Sequence, residues 1–428
     1  MAEQTQRRNQ RAGVEDRWTK TVRDNDGNPT RIPSSRHGKG KRWLARYVDN
    51  TGREQTKSFD RKVDGQNWLN EITSALVTGT YIQPSAGKIT VADAHKHWTG
   101  AQGHIKRTTA ATRATTWTTH VEAKWADTLI SDVQTSAVRT WVAEMAEGGA
   151  GAATIENALG VLRMTLEMAV EDRKIVRNPC AGVKAPRREH KARGYLGHEQ
   201  VEALALQIAA KATEADATVS RFLAYTGLRW GEMAALKVES FDMLRRRVLI
   251  RQAVAEVKGE IVWSTAKNHE RRSVPFPKFL AEEVAVLMQG KGREELVFAS
   301  PGGAVLRVST WRPRVFAPSV TAVQAQASKQ RAAEKRRVEE KLMSEVITPE
   351  FPTVTPHDLR HTAASLAISA GANVKAVQTM LGHKSAAMTL DQYADLFPDD
   401  LEAVANALDA AAMAARESTA DSLRTGNK

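Results

Sequence analysis

The sequence predicts a mainly α-helical protein with small β elements, divided into three domains. At 428 residues the chain is too long for a single compact core. Apolar residues recur at helical spacing over most of its length, whereas strand patterns are confined to the first 60 residues and to 247–275. We therefore expect a β-β-α module, a helical domain, and a mixed domain of helices with a small antiparallel sheet.

The β-β-α module is predicted within residues 1–85, behind a polar, flexible leader. Residues 18–22 fit a strand that enters the turn at 24–28. A β-hairpin is clearer, with strands at 42–48 and 53–59 whose polar residues are mainly basic.

A helix at 63–77 completes the module and carries Trp68, Ile72 and Leu76 on one face. The module fits either a generic hairpin packed on a helix or a DNA-binding unit, and the sequence leaves both open. Its basic strands favour DNA.

Residues 86–185 are predicted to form a helical domain. The helical pattern runs from 90 to 173, and its breaks near 100–103, 127–132 and 148–151 divide it into four helices. The last helix carries a stripe that should face the core, formed by Ile155, Leu159, Leu162, Leu166 and Val170. A basic, helix-broken stretch at 184–193 follows, which is typical of an exposed linker.

The third domain is expected at 186–410, with a polar tail at 411–428. Its first helices and strands are predicted at 198–211, 215–225, 230–238, 247–253, 260–264 and 271–275. Further helices include a long charged one at about 325–346 with mostly solvated faces. This helix lies in a charged stretch between Pro318 and Thr355, to which the sequence assigns no chemistry.

The charge balance points to a polyanionic partner. A net charge of +13 favours nucleic acid, because clustered Lys and Arg gain affinity by releasing counterions from phosphates. Charge alone also fits a merely soluble basic protein. No apolar run approaches the length of a membrane span and no signal-peptide core follows Met1, so we expect a cytoplasmic protein. Cys180 is the single cysteine and cannot make an internal disulfide.

Arginine and histidine residues cluster ahead of a tyrosine near the C-terminus. The segment His357-Asp358-Leu359-Arg360-His361 is followed by Leu381-Gly382-His383 and then by Tyr393. On a helix, His357 and Arg360 are three residues apart and project from the same face. These two side chains can therefore share one ligand.

Two upstream motifs add further cations. The segment Thr226-Gly227-Leu228-Arg229-Trp230-Gly231-Glu232 places Arg229 after a glycine turn at a helix start, which is a plausible anion site. Residues 264–275 are predicted to form a strand, a tight polar turn and a second strand, with Lys267 near the hairpin tip. Arg271 and Arg272 lie close to it and are expected to contact phosphate or to be solvated at the strand edge.

In this order the motifs resemble the tyrosine recombinases of the phage-integrase family, which carry T-G-L-R-x-x-E, a hairpin lysine, H-x-x-R, L-G-H and then a tyrosine. The resemblance covers about Lys191 to Ala410. It implies the DNA breaking-rejoining fold for the third domain. More weakly, residues 86–185 resemble the SAM-like core-binding domain, and residues 1–85 resemble the arm-type DNA-binding module of larger, lambda-type integrases.

The resemblance implies an enzyme, a site-specific DNA recombinase that integrates or excises a phage or another mobile element. Tyr393 would attack phosphorus to give a 3′-phosphotyrosine and a free 5′-hydroxyl. Arg229 and Arg360 would bind the phosphate, because a guanidinium stays charged and offers paired donors. Lys267 would be the general acid that protonates the departing 5′ oxygen.

The sequence leaves two roles open for each of the two histidines in the motifs. His357 and His383 would either donate to the phosphate or accept the proton of Tyr393, and the sequence does not decide between them. Glu232 is expected to orient Arg229. No metal or other cofactor is implied, since the motifs lack acidic clusters, Cys/His ligand spacings and a Walker-type loop.

The implied partners are double-stranded DNA with attachment sites, a homo-tetramer on synapsed DNA and an accessory bending or excision factor, at the nucleoid of a bacterial host. Leu401, Val404 and Leu408 have helical spacing that suits docking on a neighbour or packing within the chain. Two alternatives are kept, a type IB topoisomerase-like enzyme and a non-catalytic DNA-binding regulator. The ten-residue interval from His383 to Tyr393 favours a recombinase over a topoisomerase, and the catalytic set argues against a regulator.

Overall fold

The computed structural model describes residues 12–23, 27–49, 52–78, 80–83, 86–187, 194–265, 272–393, 408–413 and 415–416. The chain divides into two compact units, Met1–Glu189 and His190–Lys428. The division falls inside the basic stretch at 184–193. Each unit is described separately below.

The first unit opens with small antiparallel sheets. The strands are β1 (Gly13–Asp16), β2 (Thr19–Arg23), β3 (Pro29–Pro33), β4 (Trp43–Val48) and β5 (Glu54–Phe59). Strands β2 and β3 form a hairpin, and β1, β4 and β5 form a sheet in the order β1-β4-β5. The expected hairpin of β4 and β5 is confirmed, whereas β1 was not predicted. Its four residues contain one apolar side chain, and Arg42 and Arg46 hold it through ion pairs with Asp16 and Glu15.

Helix α1 (Lys62–Val77) packs on this sheet as predicted. Its face of Trp68, Ile72 and Leu76 lies against a small core that contains the buried Ala45, Tyr47, Leu69 and Tyr81. The hydroxyls of Tyr47 and Tyr81 lie 2.6 Å apart, so each buried phenol has a hydrogen-bond partner.

The helical part of the first unit has its own core. Its helices are α2 (Val91–Gly100), α3 (Arg107–Thr116), α4 (Glu122–Trp125), α5 (Thr135–Glu147) and α6 (Ala152–Glu171), with a π-helical turn at Trp117–Val121 between α3 and α4. The predicted breaks coincide with the gaps after α2, α4 and α5. Four members of the predicted stripe are buried, namely Ile155, Leu159, Leu162 and Leu166, and the fifth, Val170, is partly buried.

The second unit is a mixed domain of helices and two small sheets. Its helices are α7 (His198–Lys211), α8 (Glu214–Thr226), α9 (Trp230–Met233), α10 (Lys278–Met288), α11 (Val308–Trp311), α12 (Ala317–Glu339), α13 (Asp358–Ser369), α14 (Val374–Leu381) and α15 (Ala386–Tyr393). Its strands are β6 (Phe241–Asp242), β7 (Arg247–Ile250), β8 (Gln252–Val257), β9 (Glu260–Thr265) and β10 (Arg272–Pro275). Helix α8 is central, and its Phe222 is fully buried against Phe276 and Phe298.

The strand pairing corrects the predicted hairpin at 264–275. Strand β9 pairs with β8 across the turn at Lys258 and Gly259, both of which have positive φ (50° and 82°). Strand β10 pairs instead with β7, where Val248, Ile250 and Val274 are fully buried. The expected single strand at 247–253 is therefore two strands in two sheets. The connection that carries Lys267 joins these sheets, and Lys267 and Arg271 lie outside the described residues.

Two helix boundaries also differ from the prediction. Helix α9 ends at Met233, well before 238, because the amides of Val238 and Glu239 donate to the carbonyls of Glu295 and Arg293 instead of continuing the helix. The charged helix, expected at 325–346, begins at Ala317 and ends at Glu339.

The segment after the charged helix folds back along it. Lys341 has a positive φ of 60°. The Glu334 carboxylate then accepts hydrogen bonds from the amides of Ile347 and Thr348, and Arg331 donates to the carbonyl of Thr348. Among the helices of the described residues, none has the length and apolarity to cross a membrane.

Candidate active site

Four of the six residues predicted for the site meet in the second unit. Arg229 immediately precedes α9, Arg360 lies in α13, His383 follows α14, and Tyr393 ends α15. His357 precedes α13 at the edge of this group, and Lys267 lies outside the described residues. Side chains more than 160 residues apart in sequence are thus brought to one place by the packing of α8, α13 and α14.

The turn after α8 fits only glycine. Gly227 has a φ of +64°, and a Cβ there would lie 2.7 Å from Cδ2 of Leu381 and 3.3 Å from Cβ of Ala363. Its carbonyl accepts a hydrogen bond of 2.6 Å from Nη1 of Arg360. The glycine therefore lets α8 approach α13 and α14 closely and also positions one of the predicted phosphate ligands.

Arg229 is held by an acidic residue, as the sequence predicted. Its Nη1 lies 2.9 Å from Oε1 of Glu232, and its backbone N–H donates to Oε2 of the same carboxylate. The Arg229 side chain remains 34% exposed, whereas Glu232 is 2% exposed. The guanidinium can therefore still meet a ligand while the carboxylate is covered.

Arg272 is a second, stronger partner of Glu232. Its two Nη atoms lie 3.0 and 2.6 Å from the two carboxylate oxygens, and its Nε donates to the carbonyl of Met380. The side chain is 11% exposed, so the expectation of a solvated strand edge was wrong. Burial alone would raise the pKa of Glu232, but the hydrogen bonds and charges of Arg272 and Arg229 lower it to about 2.

Arg360 is buried and donates hydrogen bonds to two backbone oxygens. Its Nη1 donates to Gly227 and its Nη2 to the carbonyl of Leu381, each at 2.6 Å. Burial, reinforced by the charge of Arg229, lowers the pKa of Arg360 to about 9, so the guanidinium keeps its proton at neutral pH. Arg229, Arg272 and Arg360 together outnumber the one carboxylate of Glu232, which makes the site suited to an anion.

His383 leaves α14 through a left-handed turn. Gly382 has a φ of +66°, and a Cβ there would lie 3.0 Å from Nε of Arg272. The Nδ1 atom of His383 lies 3.0 Å from Oγ1 of Thr389, a fully buried residue. Burial, and then the charges of Arg360, Arg229 and Arg272, lower the pKa of His383 to about 4, so its imidazole is neutral at neutral pH.

Tyr393 is enclosed by these groups. It is 1% exposed and packs with Ala364, Ile368, Val377 and Leu381. The ring of His383 lies nearly parallel to the phenol ring, with centroids 6.5 Å apart. Nδ1 of His361 lies 2.6 Å from the phenolic oxygen, Oη. In this arrangement the hydroxyl is covered, so a phosphate can reach it only after side chains that cover it move aside.

Three residues of this cluster were not predicted as site residues from the sequence, namely His361, Thr389 and Arg272. His361 was within the quoted H-x-x-R-H segment, and its place four residues after His357 on a helix was the signal that could have selected it. Thr389 gave no sequence signal. Arg272 was noted, but nothing in the sequence distinguished a buried ion pair from an exposed cation. His357 is exposed, and its ring lies edge-on to that of His361 with centroids 5.3 Å apart.

Comparison with known proteins identifies the domain that holds this cluster. Residues 194–399 match the model of the phage integrase family. The chain is 26% identical over 273 residues to the integrase of Mycobacterium phage L5, which covers 61% of this chain and 63% of that integrase. It is 28% identical over 279 residues to the prophage phiRv2 integrase of Mycobacterium tuberculosis strain H37Rv, and this match covers 63% of this chain and 65% of that integrase. The chain thus spans less than two thirds of the length of either integrase.

A tyrosine recombinase and two solved integrase structures are also similar to this chain. The tyrosine recombinase XerC of Mycobacterium leprae is 24% identical over 281 residues, which cover 63% of this chain and 82% of that protein. The fold is similar to that of the Tn1549 transposon integrase in complex with transposon right end DNA, with a TM-score of 0.60 at 20% identity over 76% of this chain and all of that one. It is also similar to lambda integrase, solved as a tetramer bound to a Holliday junction, with a TM-score of 0.52 at 17% identity over 85% of this chain and 95% of that one. Residues 194–399 therefore match a phage integrase family domain, and the chain is similar to integrases and to a tyrosine recombinase.

Proposed function

We propose that this protein is a site-specific DNA recombinase, an integrase, that cleaves and rejoins DNA through a 3′-phosphotyrosyl bond to Tyr393. The observation that carries the proposal is the position of this hydroxyl, which lies beside imidazoles and the charged Arg360 in a cluster with excess positive charge. The family domain at 194–399 and the similarity to phage and prophage integrases support it.

The chemical roles follow from what each group can do. A phosphodiester gains negative charge on its non-bridging oxygens in the transition state, and Arg229 and Arg360 are guanidiniums placed to stabilise it. Arg229 is the more accessible of the two, whereas Arg360 is fixed by two backbone carbonyls. His383, neutral and oriented by Thr389, can donate a hydrogen bond to a phosphate oxygen.

The remaining predicted site residues complete the proposal. Lys267 is proposed as the general acid that protonates the leaving 5′ oxygen, since it follows β9 in the connection to Arg272 and β10. His357 is exposed at the start of α13 and is proposed to contact the phosphate. Because transesterification conserves the energy of the phosphodiester in the phosphotyrosyl bond, no nucleotide is needed.

The rest of the chain is proposed to bind DNA and partner copies. Residues 1–85 would bind arm-type sites, residues 86–185 the core site, and residues 186–410 would cleave, followed by a tail at 411–428. The net charge of +13 suits such extensive phosphate contact. A homo-tetramer on two DNA duplexes, assisted by a bending or excision factor in a bacterial cytoplasm, is the proposed working unit. Leu408 is 66% exposed, while Leu401 and Val404 lie outside the described residues.

A nicked suicide substrate tests the proposal, because loss of the short 5′-hydroxyl fragment traps the covalent complex. We expect a protein–DNA adduct with the wild-type chain and none with Tyr393→Phe. Exchange of strands between two attachment sites should then follow, whereas a type IB topoisomerase would relax supercoils without exchange. DNA binding with no adduct in any condition would refute the enzyme and leave a regulator.

A further inference from the structure

The hydroxyl of Tyr393 has a specific imidazole partner in this fold. Nδ1 of His361 lies 2.6 Å from Oη, and both residues are buried, at 5% and 1% exposure. This distance lies within the range that proton transfer to a general base requires. The contact is made across 32 residues of sequence by two different helices, α13 and α15, so the fold itself brings the pair together.

The other two histidines near the phenol are placed differently. The Nδ1 atom of His383 is engaged by Thr389, and its ring lies parallel to the phenol ring with centroids 6.5 Å apart. His357 is exposed, and its ring contacts the ring of His361, with the centroids 5.3 Å apart and the planes at 88°. His361 therefore lies between His357 and Tyr393.

We propose, on the basis of the function proposed above, that His361 is the general base of DNA cleavage. In its neutral form, protonated at Nε2, it accepts the hydroxyl proton of Tyr393 at Nδ1. The Oη electron pair forms the bond to phosphorus, the bond from phosphorus to the 5′ oxygen breaks, and a separate general acid protonates that oxygen. In rejoining, the 5′-hydroxyl gives its proton to the conjugate base of that general acid as its oxygen attacks phosphorus. The bond from phosphorus to Oη breaks, and His361 returns the proton to Oη.

This assignment gives the two proton transfers of the reaction to two different residues. The base belongs to α13 and contacts the nucleophile directly, whereas the proposed acid, Lys267, follows β9. The imidazolium that forms on His361 would lie beside a phosphorus centre that is gaining negative charge, which offsets the cost of a new cation near Arg360. His361 is thus a catalytic residue, since it touches the attacking oxygen.

The variant His361→Asn tests this assignment most sharply. The amide oxygen Oδ1 of asparagine can occupy the position of Nδ1 and accept the hydrogen bond from Tyr393, but it cannot take the proton. Single-turnover cleavage of a suicide substrate should fall by about 100- to 10,000-fold. Its melting temperature and DNA affinity should stay near those of the wild-type chain. If His361→Asn does not fold, His361→Gln is measured in the same way.

A substrate with sulfur in place of the bridging 5′ oxygen distinguishes base from acid. A thiolate leaves without a proton, so this substrate restores variants that lack the general acid. We expect the deficit of His361→Asn to persist with sulfur, because the nucleophile still has to lose its proton. Recovery with sulfur would overturn the proposal, as would a wild-type rate with oxygen. A sulfur-independent deficit in His357→Asn together with a wild-type rate for His361→Asn would reassign the base to His357.

Controls keep this inference apart from the proposed function. His198→Asn removes another histidine of the same unit, one that is exposed on α7 and lies 2.9 Å from the Tyr225 hydroxyl, and it should cleave at the wild-type rate. Tyr393→Phe should form no adduct on either substrate. If Tyr393→Phe still forms the adduct, the proposed function fails; if only His361→Asn behaves as wild type, the base assignment alone fails.

Discussion

Arg272→Met removes the principal partner of a buried carboxylate while keeping a side chain of similar length. In the folded protein the Arg272 fork binds both oxygens of Glu232, which in turn holds Arg229. The substitution leaves Glu232, which is 2% exposed, with Arg229 alone. We therefore expect a loss of both stability and cleavage.

The magnitude follows from the carboxylate. Its pKa falls from 4.5 to about 2 in the folded protein, which corresponds to about 3 kcal/mol. Removing one member of a buried pair typically costs about 3–5 kcal/mol. Because Arg229 keeps one oxygen occupied, we expect Arg272→Met to lower the free energy of unfolding by about 3 kcal/mol at neutral pH.

Urea denaturation of a double-mutant cycle measures this value. Glu232→Gln should also destabilise, and the double variant should be less unstable than the two single losses combined, with a coupling energy of about 2 kcal/mol or more. The depressed pKa gives the pH dependence its sign, since the stabilisation is present above pH 4.5 and is lost as the pH falls toward 2. A change below about 1 kcal/mol with no coupling would show that this ion pair does not form.

Three further substitutions follow from the site. Gly227→Ala places a methyl group 2.7 Å from Leu381 at a φ of +64°, so it should lower the free energy of unfolding by more than about 1 kcal/mol in denaturant titration. The control Gly160→Ala, which has open space in α6, should raise it by roughly 0.5–1 kcal/mol. Equal effects of the two substitutions would contradict the packing of α8. The pKa of His383 is lowered from 6.5 to about 4 in the folded protein, so the unfolded chain binds its proton first and the free energy of unfolding should fall as the pH drops from 6.5 to 4. His383→Asn should flatten that part of the pH profile of stability. An unchanged profile would refute the buried neutral imidazole. The lysine of Arg360→Lys cannot reach the carbonyls of Gly227 and Leu381 together, so this variant should melt at a lower temperature and form the covalent adduct more slowly. Wild-type values for both measurements would contradict the fixed guanidinium.

The sequence predicted elements whose signals are local. The hairpin of β4 and β5, helix α1 and helix α7 all follow from periodicity and turn residues within a few positions. Strand β1 was not predicted because one apolar residue in four gives no alternation of apolar and polar side chains. The two ion pairs that hold it join residues 26 and 31 positions apart in sequence. The pairing of the strands was also not predicted, because it depends on contacts between residues distant in sequence. Strand β10 pairs with β7, although the hairpin of β8 and β9 lies between them in sequence.

The site shows the same limit. The motifs predicted which polar residues would matter, and the structure brings Arg229, Arg360, His383 and Tyr393 together. Burial and direction were not readable, because they depend on packing between helices distant in sequence. That is why Arg272 was expected at a solvated edge or on a phosphate, and why the histidine in contact with Tyr393 proved to be His361.

All the roles proposed for this site depend on a covalent bond between Tyr393 and a DNA 3′-phosphate. The most direct measurement traps the wild-type protein on a nicked substrate, digests the protein and the DNA, and identifies the modified peptide by mass spectrometry. We expect a nucleotide remnant on the peptide that contains Tyr393, with a 3′-phosphate linkage to its hydroxyl. A remnant on another residue, or a cleaved substrate with no protein attached, would contradict it.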